Sequence, residues 1–157
     1  MTPTSSIDKI ERQTLIRAPR SRVWKALTDI REFCRWFSAA TEESSFEPGK
    51  HVRMVSTYPG PYQGMSFAVD IADMLPEHTF SWRWHPGAKQ AGEDVSAEPM
   101  TLVVFRLQDA EGGTLVTVTE TGFSRLFQHR VDRALRDNTS GWEKQMAALE
   151  RHFSDGR

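Results

Sequence analysis

The sequence holds one cysteine, Cys34, in 157 residues. An intrachain disulfide is therefore impossible, and a zinc site built on four cysteines, or on two cysteines and two histidines, is excluded. No run of about 18 apolar residues occurs, so no membrane insertion is expected. An excess of one charge is also missing: 20 Lys and Arg stand against 21 Asp and Glu, a formal net charge of -1. Phosphate binding needs a basic face, so nucleic acid is not an expected partner. The polar stretch from Met1 to Asp8 lacks the apolar centre of a secretory signal, which makes a reducing cytoplasm the default location. Metal ligands are not clustered. His51, His129 and His152 are scattered, and His78 and His85 bracket one candidate strand on opposite faces. Glu47-Pro48-Gly49-Lys50 ends in Gly-Lys but lacks the first glycine of a P-loop and its following Ser or Thr. No metal, nucleotide or other cofactor is expected. Asn138-Thr139-Ser140 spells a glycosylation sequon inside a candidate helix of a chain without a signal, and carries no weight here. Internal repeats and low-complexity segments are absent.

What remains fits one domain with room for a core and a modest cavity, since a chain of this length buries roughly 70% of its unfolded surface. Ile10, Arg12, Thr14 and Ile16 share one parity and predict a first strand. Pro19 is placed at the first position of a short helix carrying Val23, Trp24 and Leu27. Asp29 caps a second short helix, with Glu32 where a capping box needs its acid. Ile30, Phe33, Cys34 and Phe37 form the apolar stripe of that helix. Turn signals then separate alternating segments: 51–57 with Val52 and Met54, 65–74 with Phe67, Val69 and Ile71, and 78–85. In the last of these Phe80, Trp82 and Trp84 face one way. A polar loop runs from Pro86 to Pro99. Thr101, Val103, Phe105 and Leu107 alternate next, Glu111-Gly112-Gly113 makes a hairpin turn, and a β-branched strand follows to Thr121. Val131, Leu135, Asn138, Trp142, Met146, Leu149 and Phe153 then recur at helical spacing, so one long helix has an apolar face. No βαβ alternation appears. The class is α+β, with a twisted antiparallel sheet whose concave face only the long helix is able to cover.

The stretch Ile16, Ala18, Pro19, Val23, Trp24, Ala26, Leu27, Thr28, Asp29, followed by Trp36-Phe37, resembles the opening signature of the START-like (SRPBCC) superfamily. Within it, the sequence is similar to bacterial proteins related to the C-terminal domain of the activator of the heat-shock-protein-90 ATPase. Gly60, Tyr62 and Gly64, then Trp82-Arg83-Trp84, the run from Glu98-Pro99 to Val103, Gly113-Thr114, Thr121-Gly122-Phe123 and Gly141-Trp142 carry the likeness over residues 8–153. The resemblance implies one START-like domain over 1–157 with a helix-grip fold: a curved antiparallel sheet, with two short helices, wrapped around a long C-terminal helix. It also implies a cavity between sheet and helix. Ligands of the wider superfamily include lipids, sterols, polyketides and plant hormones. No shared catalytic motif comes with the bacterial group. The eukaryotic activator has a further N-terminal domain that is not seen here, so chaperone activation is not the leading expectation.

The resulting expectation is a binding or carrier protein for a small hydrophobic molecule of lipid, polyketide or aromatic type, acting as a monomer or weak homodimer. Its pocket is predicted to be lined by Trp36, Phe80, Trp82, Trp84, Phe105, Glu120, Trp142 and Met146. Aromatic stripes of this kind also fill solid cores, and both readings of these side chains stand at this point. Glu120 shares parity with Val116 and Val118. It is either an acid facing the concavity or a strand-end carboxylate reaching water or Arg83. A cyclase- or dehydratase-like enzyme using Glu120 and a chaperone-interaction domain are the two alternatives. Cys34 is read as a structural thiol. Gly141 is expected to allow close packing of the long helix. The loop from Pro86 to Pro99, hinged at Gly87 and Gly92 and kept wet by Glu93 and Asp94, is expected to gate the pocket.

Overall fold

The computed structural model describes residues 8–87 and 93–155. Strand β1 (Lys9–Ile16) is followed by α1 (Arg20–Thr28), α2 (Ile30–Phe37) and the two-residue β2 (Ala39–Ala40). Then come β3 (His51–Ser56), β4 (Ser66–Leu75), β5 (Thr79–Trp84), β6 (Thr101–Ala110), β7 (Gly113–Thr121) and α3 (Val131–Asp155). The strands form one antiparallel seven-stranded sheet in the order β1-β7-β6-β5-β4-β3-β2. It curls around α3, which is the helix-grip, α+β arrangement.

Local chemistry sets the curvature. Between Ile71, opposite Trp82, and Met74, opposite Phe80, β4 carries an extra residue. The Ser81 hydroxyl accepts from the Asp73 N–H at 3.0 Å and fills the gap in the ladder. Such a bulge bends its strand and sharpens the twist. At the β6–β7 hairpin a Cβ on Gly113 would lie 2.0 Å from the Ile16 carbonyl oxygen. Only glycine lets the two strand ends approach there.

Pro19 is not inside α1 but caps it. Its backbone is extended, and its carbonyl accepts from the N–H groups of Arg22 and Val23 at 3.0 and 3.1 Å. Asp29 caps α2 as expected, its carboxylate accepting from Arg31 N–H at 3.0 Å and Glu32 N–H at 3.4 Å. The capping box is not formed. Glu32 turns inward, 1% exposed, and meets Arg22 at 2.7 Å, His152 at 2.6 Å and Lys25 at 3.3 Å. Three basic groups on α1 and α3 hold that carboxylate more strongly than one backbone N–H could. Burial pushes the Cys34 thiol up, which suits a thiol packed on the core side of α2.

Helix α3 runs through Gly141 without interruption. Ala134, Trp142, Met146 and Leu149 are buried against the sheet, and Leu135 is only partly so. Side chains the size of Met146 and Leu149 each contribute roughly 1.5–3 kcal/mol through burial. Phe33, Phe80, Trp82 and Phe105 fill the middle of the concave face with essentially no exposure.

Candidate functional site

Beyond that packed middle, where α3 passes the end of β5 and the β3–β4 connection, lies a cavity of about 290 Å³. Four rings form its aromatic wall, each from a different element: Phe37 (α2), Phe67 (β4), Trp84 (β5) and Trp142 (α3). Their centroids close a circuit: Phe37 to Phe67 is 6.3 Å, Phe67 to Trp84 6.1 Å, Trp84 to Trp142 6.0 Å and Trp142 to Phe37 6.3 Å. Trp82 packs against three of the four at 5.4–6.4 Å and fixes the ring from the core side. Tyr58, Tyr62 and Met65 border the cavity from the β3–β4 connection, and Asp137, Asn138, Gly141, Lys144 and Gln145 from α3.

Glu120 lies behind this wall, fully buried. One oxygen accepts from Trp142 Nε1 at 2.7 Å and Asn138 Nδ2 at 2.9 Å. The other accepts from Trp84 Nε1 at 2.8 Å and the Thr101 hydroxyl at 2.5 Å. Four neutral donors therefore occupy the carboxylate, and among the described residues no Lys, Arg or His pairs with it. Two of those donors are the indoles of the wall, so Glu120 sets the orientation of both rings. A donor-saturated group screened from the cavity by Trp84, Asn138 and Trp142 is badly placed for acid–base work on a ligand.

A second buried carboxylate anchors the rim. Glu98 and Arg130 have fully buried side chains and meet through three contacts of 3.0–3.2 Å. Arg130 Nη2 also donates to the Pro86 carbonyl at 2.6 Å, and Glu98 accepts from Phe127 N–H at 2.8 Å. Pro86 and Gly87 border the cavity, so this pair ties one rim to the start of α3.

Of the eight residues predicted to line a pocket, the structure places Trp84 and Trp142 at the cavity. Phe80, Trp82 and Phe105 lie one step further along the same face, where α2 and α3 close over the sheet, and they pack as core. Trp36 is buried with its N–H on the Ala26 carbonyl at 2.8 Å, and Met146 is buried beneath α3. Glu120 is neither a cavity-facing acid nor paired with Arg83, which is exposed. The gate expected over Pro86 to Pro99 falls in part on residues 88–92, Gly92 included, which lie outside the described residues. Glu93 is not a solvated residue: it bonds Arg133 at 2.9 Å and His129 at 3.3 Å. Gly141 does not serve close packing. A Cβ there meets nothing within 4 Å, because this face of α3 looks over the cavity.

The short helix carrying Trp36 and Phe37 was expected to help close an end of the cavity, and Phe37 does border it. The residues missed were Phe67, Tyr58 and Tyr62, and the Glu98–Arg130 pair. A signal existed for some of them. Tyr62 and Gly141-Trp142 belong to the motifs that carry the family resemblance, and Asn138 interrupts an otherwise apolar stripe. Among the described residues, no group of three or more His, Cys, Asp or Glu is arranged to hold a metal ion, and no helix is long and apolar enough to cross a membrane.

A curled seven-stranded antiparallel sheet gripping one long helix, with a cavity at its end, defines the START-like (SRPBCC) class of proteins. The family model described as Activator of Hsp90 ATPase homolog 1-like protein matches residues 17–154, and this chain belongs to that family. Protein MLL2253 from Mesorhizobium loti is similar in structure, with a TM-score of 0.73 at 19% identity, covering 95% of this chain and 98% of that one. The Aha1 protein from Colwellia psychrerythraea, a dimer in solution, gives a TM-score of 0.69 at 16% identity, with 95% and 98% covered. DynU16, from the dynemicin biosynthetic locus, gives 0.70 at 20% identity; 96% of this chain matches, and it spans 48% of that chain. At these identities the likeness is one of fold. No curated protein sequence matches the chain.

Proposed function

We propose that this protein binds a compact, ring-containing small molecule in the cavity walled by Phe37, Phe67, Trp84 and Trp142. The observation that carries this reading is an open cavity bordered by four mutually contacting rings from four different elements. A volume of about 290 Å³ lies at the lower edge of ligand pockets, which run from roughly 300 to 1,000 Å³. It favours a one- or two-ring body over a sterol or a two-chain lipid. Binding rather than turnover is the reading supported by the position of Glu120, whose oxygens are taken up by the wall itself. Among the described residues, the large exposed apolar side chains are Leu15, Val55, Tyr58, Tyr62 and Leu75. Two of the five border the cavity, which supports a ligand site over a chaperone-docking face.

Gly141 tests the reading. Glycine inside a helix costs about 1 kcal/mol relative to alanine, and here nothing packs against it. Gly141→Ala is expected to raise stability by about 0.5–1 kcal/mol, measured by chemical denaturation. Gly141→Leu directs a larger side chain over the cavity and is expected to weaken binding of the neutral dye N-phenyl-1-naphthylamine by about tenfold or more, equal to about 1.4 kcal/mol. Trp24 sits on α1, edge-on to Phe80 at 6.4 Å, away from the cavity. Trp24→Ala, once shown to be folded, should leave the dye affinity unchanged. Equal dye binding by wild type and a folded Gly141→Leu variant would sink the cavity as the binding site.

A further inference from the structure

The charge of the ligand follows from what stands behind the rings. We infer that the cavity is built for an organic cation, a quaternary ammonium or protonated amine on a compact apolar body; this rests on the binding reading above and adds its charge class. Two independent features converge. The first is the wall itself: four aromatic rings from four elements, at 6.0–6.3 Å between neighbours, all border one cavity. Ring faces carry the negative side of the aromatic quadrupole, and boxes of this kind hold alkylammonium groups through cation–π attraction.

The second is Glu120. Burying a carboxylate away from water is expensive, and the usual remedy is a cationic partner. Here every partner is neutral, so the negative charge has no counter-ion among the described residues. Its oxygens stand 2.7 and 2.8 Å from the indole nitrogens of Trp142 and Trp84. Both indoles therefore lie between the carboxylate and the cavity. An indole that donates its N–H to an anion is polarised so that its face becomes more negative. The charged residues at the rim do not cancel this effect. Asp137, Lys144 and His85 border the cavity; the first two oppose one another in sign, and Lys144 is exposed. Among the described residues, Glu120 is the buried carboxylate next to the wall that has only neutral hydrogen-bond partners. The energetic cost of burying it is offset if a cation completes the site.

The test uses two probes of nearly equal shape, 3-hydroxyphenyltrimethylammonium and the neutral 3-tert-butylphenol. Each is titrated calorimetrically into the full chain at pH 8 and low ionic strength. The cation is expected to bind wild type about tenfold tighter than the phenol. Glu120→Gln removes the charge and is expected to abolish that preference. Because its amide NH₂ cannot accept from two of the four donors, affinity for both probes falls, and the ratio of the two is the readout. Should that variant fail to fold, Lys144→Gln keeps the proposal testable from the surface. Removing the rim cation is expected to raise the ratio of ammonium to phenol affinity by about two- to threefold. Phenol binding as tight as the ammonium in wild type would overturn the cation assignment and leave the binding reading standing. Failure of both probes, together with the dye, would remove that reading as well. Sedimentation with phosphatidylcholine vesicles separates the two sources of such a group. Cosedimentation assigns the box to a lipid headgroup, and its absence, with the free ammonium bound, to a soluble cation; either outcome supports the cation.

Discussion

Glu98→Ala is expected to cost about 3–5 kcal/mol of folding stability. Arg130 is fully buried and makes three contacts of 3.0–3.2 Å to Glu98. Removing the carboxylate takes three charge-assisted contacts away from a guanidinium that is fully buried. The Phe127 N–H also loses its acceptor. The cost therefore reflects the lost compensation of a buried charge rather than the net worth of the pair. The double variant Glu98→Leu with Arg130→Met is accordingly expected to regain most of the loss, because an apolar pair of similar size strands nothing. Urea denaturation of the three proteins checks both statements. A loss below about 1 kcal/mol in Glu98→Ala would show that the arginine finds water or another acceptor. Since the pair also holds Pro86 at the cavity rim, Glu98→Ala should weaken ligand binding in the fraction that remains folded.

Acid sensitivity is expected to centre on Glu32. Its burial would raise the carboxyl, but the hydrogen bonds from Arg22, His152 and Lys25 outweigh that and hold it at about 2, against an ordinary 4.5. A folded-state value below the unfolded one means that the stabilisation is fully present above about pH 5 and is lost as the pH falls toward 2. The size is on the order of 2–3 kcal/mol, since Arg22 and Lys25 are themselves 43% and 58% exposed and partly screened. Glu32→Gln should therefore be less stable than wild type by that amount at pH 7, and the two should converge near pH 2. Denaturant midpoints at pH 7, 5, 3 and 2 test this. A constant difference across the series would mean that Glu32 contributes through packing and not through its charge. The three elements it joins, α1, α2 and α3, would separate first in acid.

Much of the architecture was legible because it rests on periodicity. The period-2 alternation in 51–57, 65–74 and 78–85 and the helical stripe from Val131 to Phe153 each specify an element and its buried face. The family motifs then supplied the order of layers. Periodicity also put Trp82, Trp84 and Phe80 on one face, correctly. It could not tell which of the three borders open space. They share a parity and differ only in which rung of the ladder α2 and α3 cover: Phe80 and Trp82 are sealed, whereas Trp84 is half-buried. Glu32 shows the same limit. Its local spacing fits a capping box, and only the arrival of His152 from the far end of the chain makes the inward turn favourable.

By itself the sequence determined the α+β class, the single long gripping helix, the lack of any intrachain disulfide, and the family. These follow from residue type and spacing along the chain, which local sterics and side-chain hydrophobicity convert directly into elements and faces. The tertiary structure alone decided where the cavity lies, that Phe37 and Phe67 complete its wall, that Glu120 is spent on two indoles and has no arginine partner, and that Glu98 and Arg130 meet in the core. Each of these depends on groups far apart in sequence coming within hydrogen-bond or ring-contact distance. Such distances are set by how the sheet curls around the helix, and no local pattern encodes them.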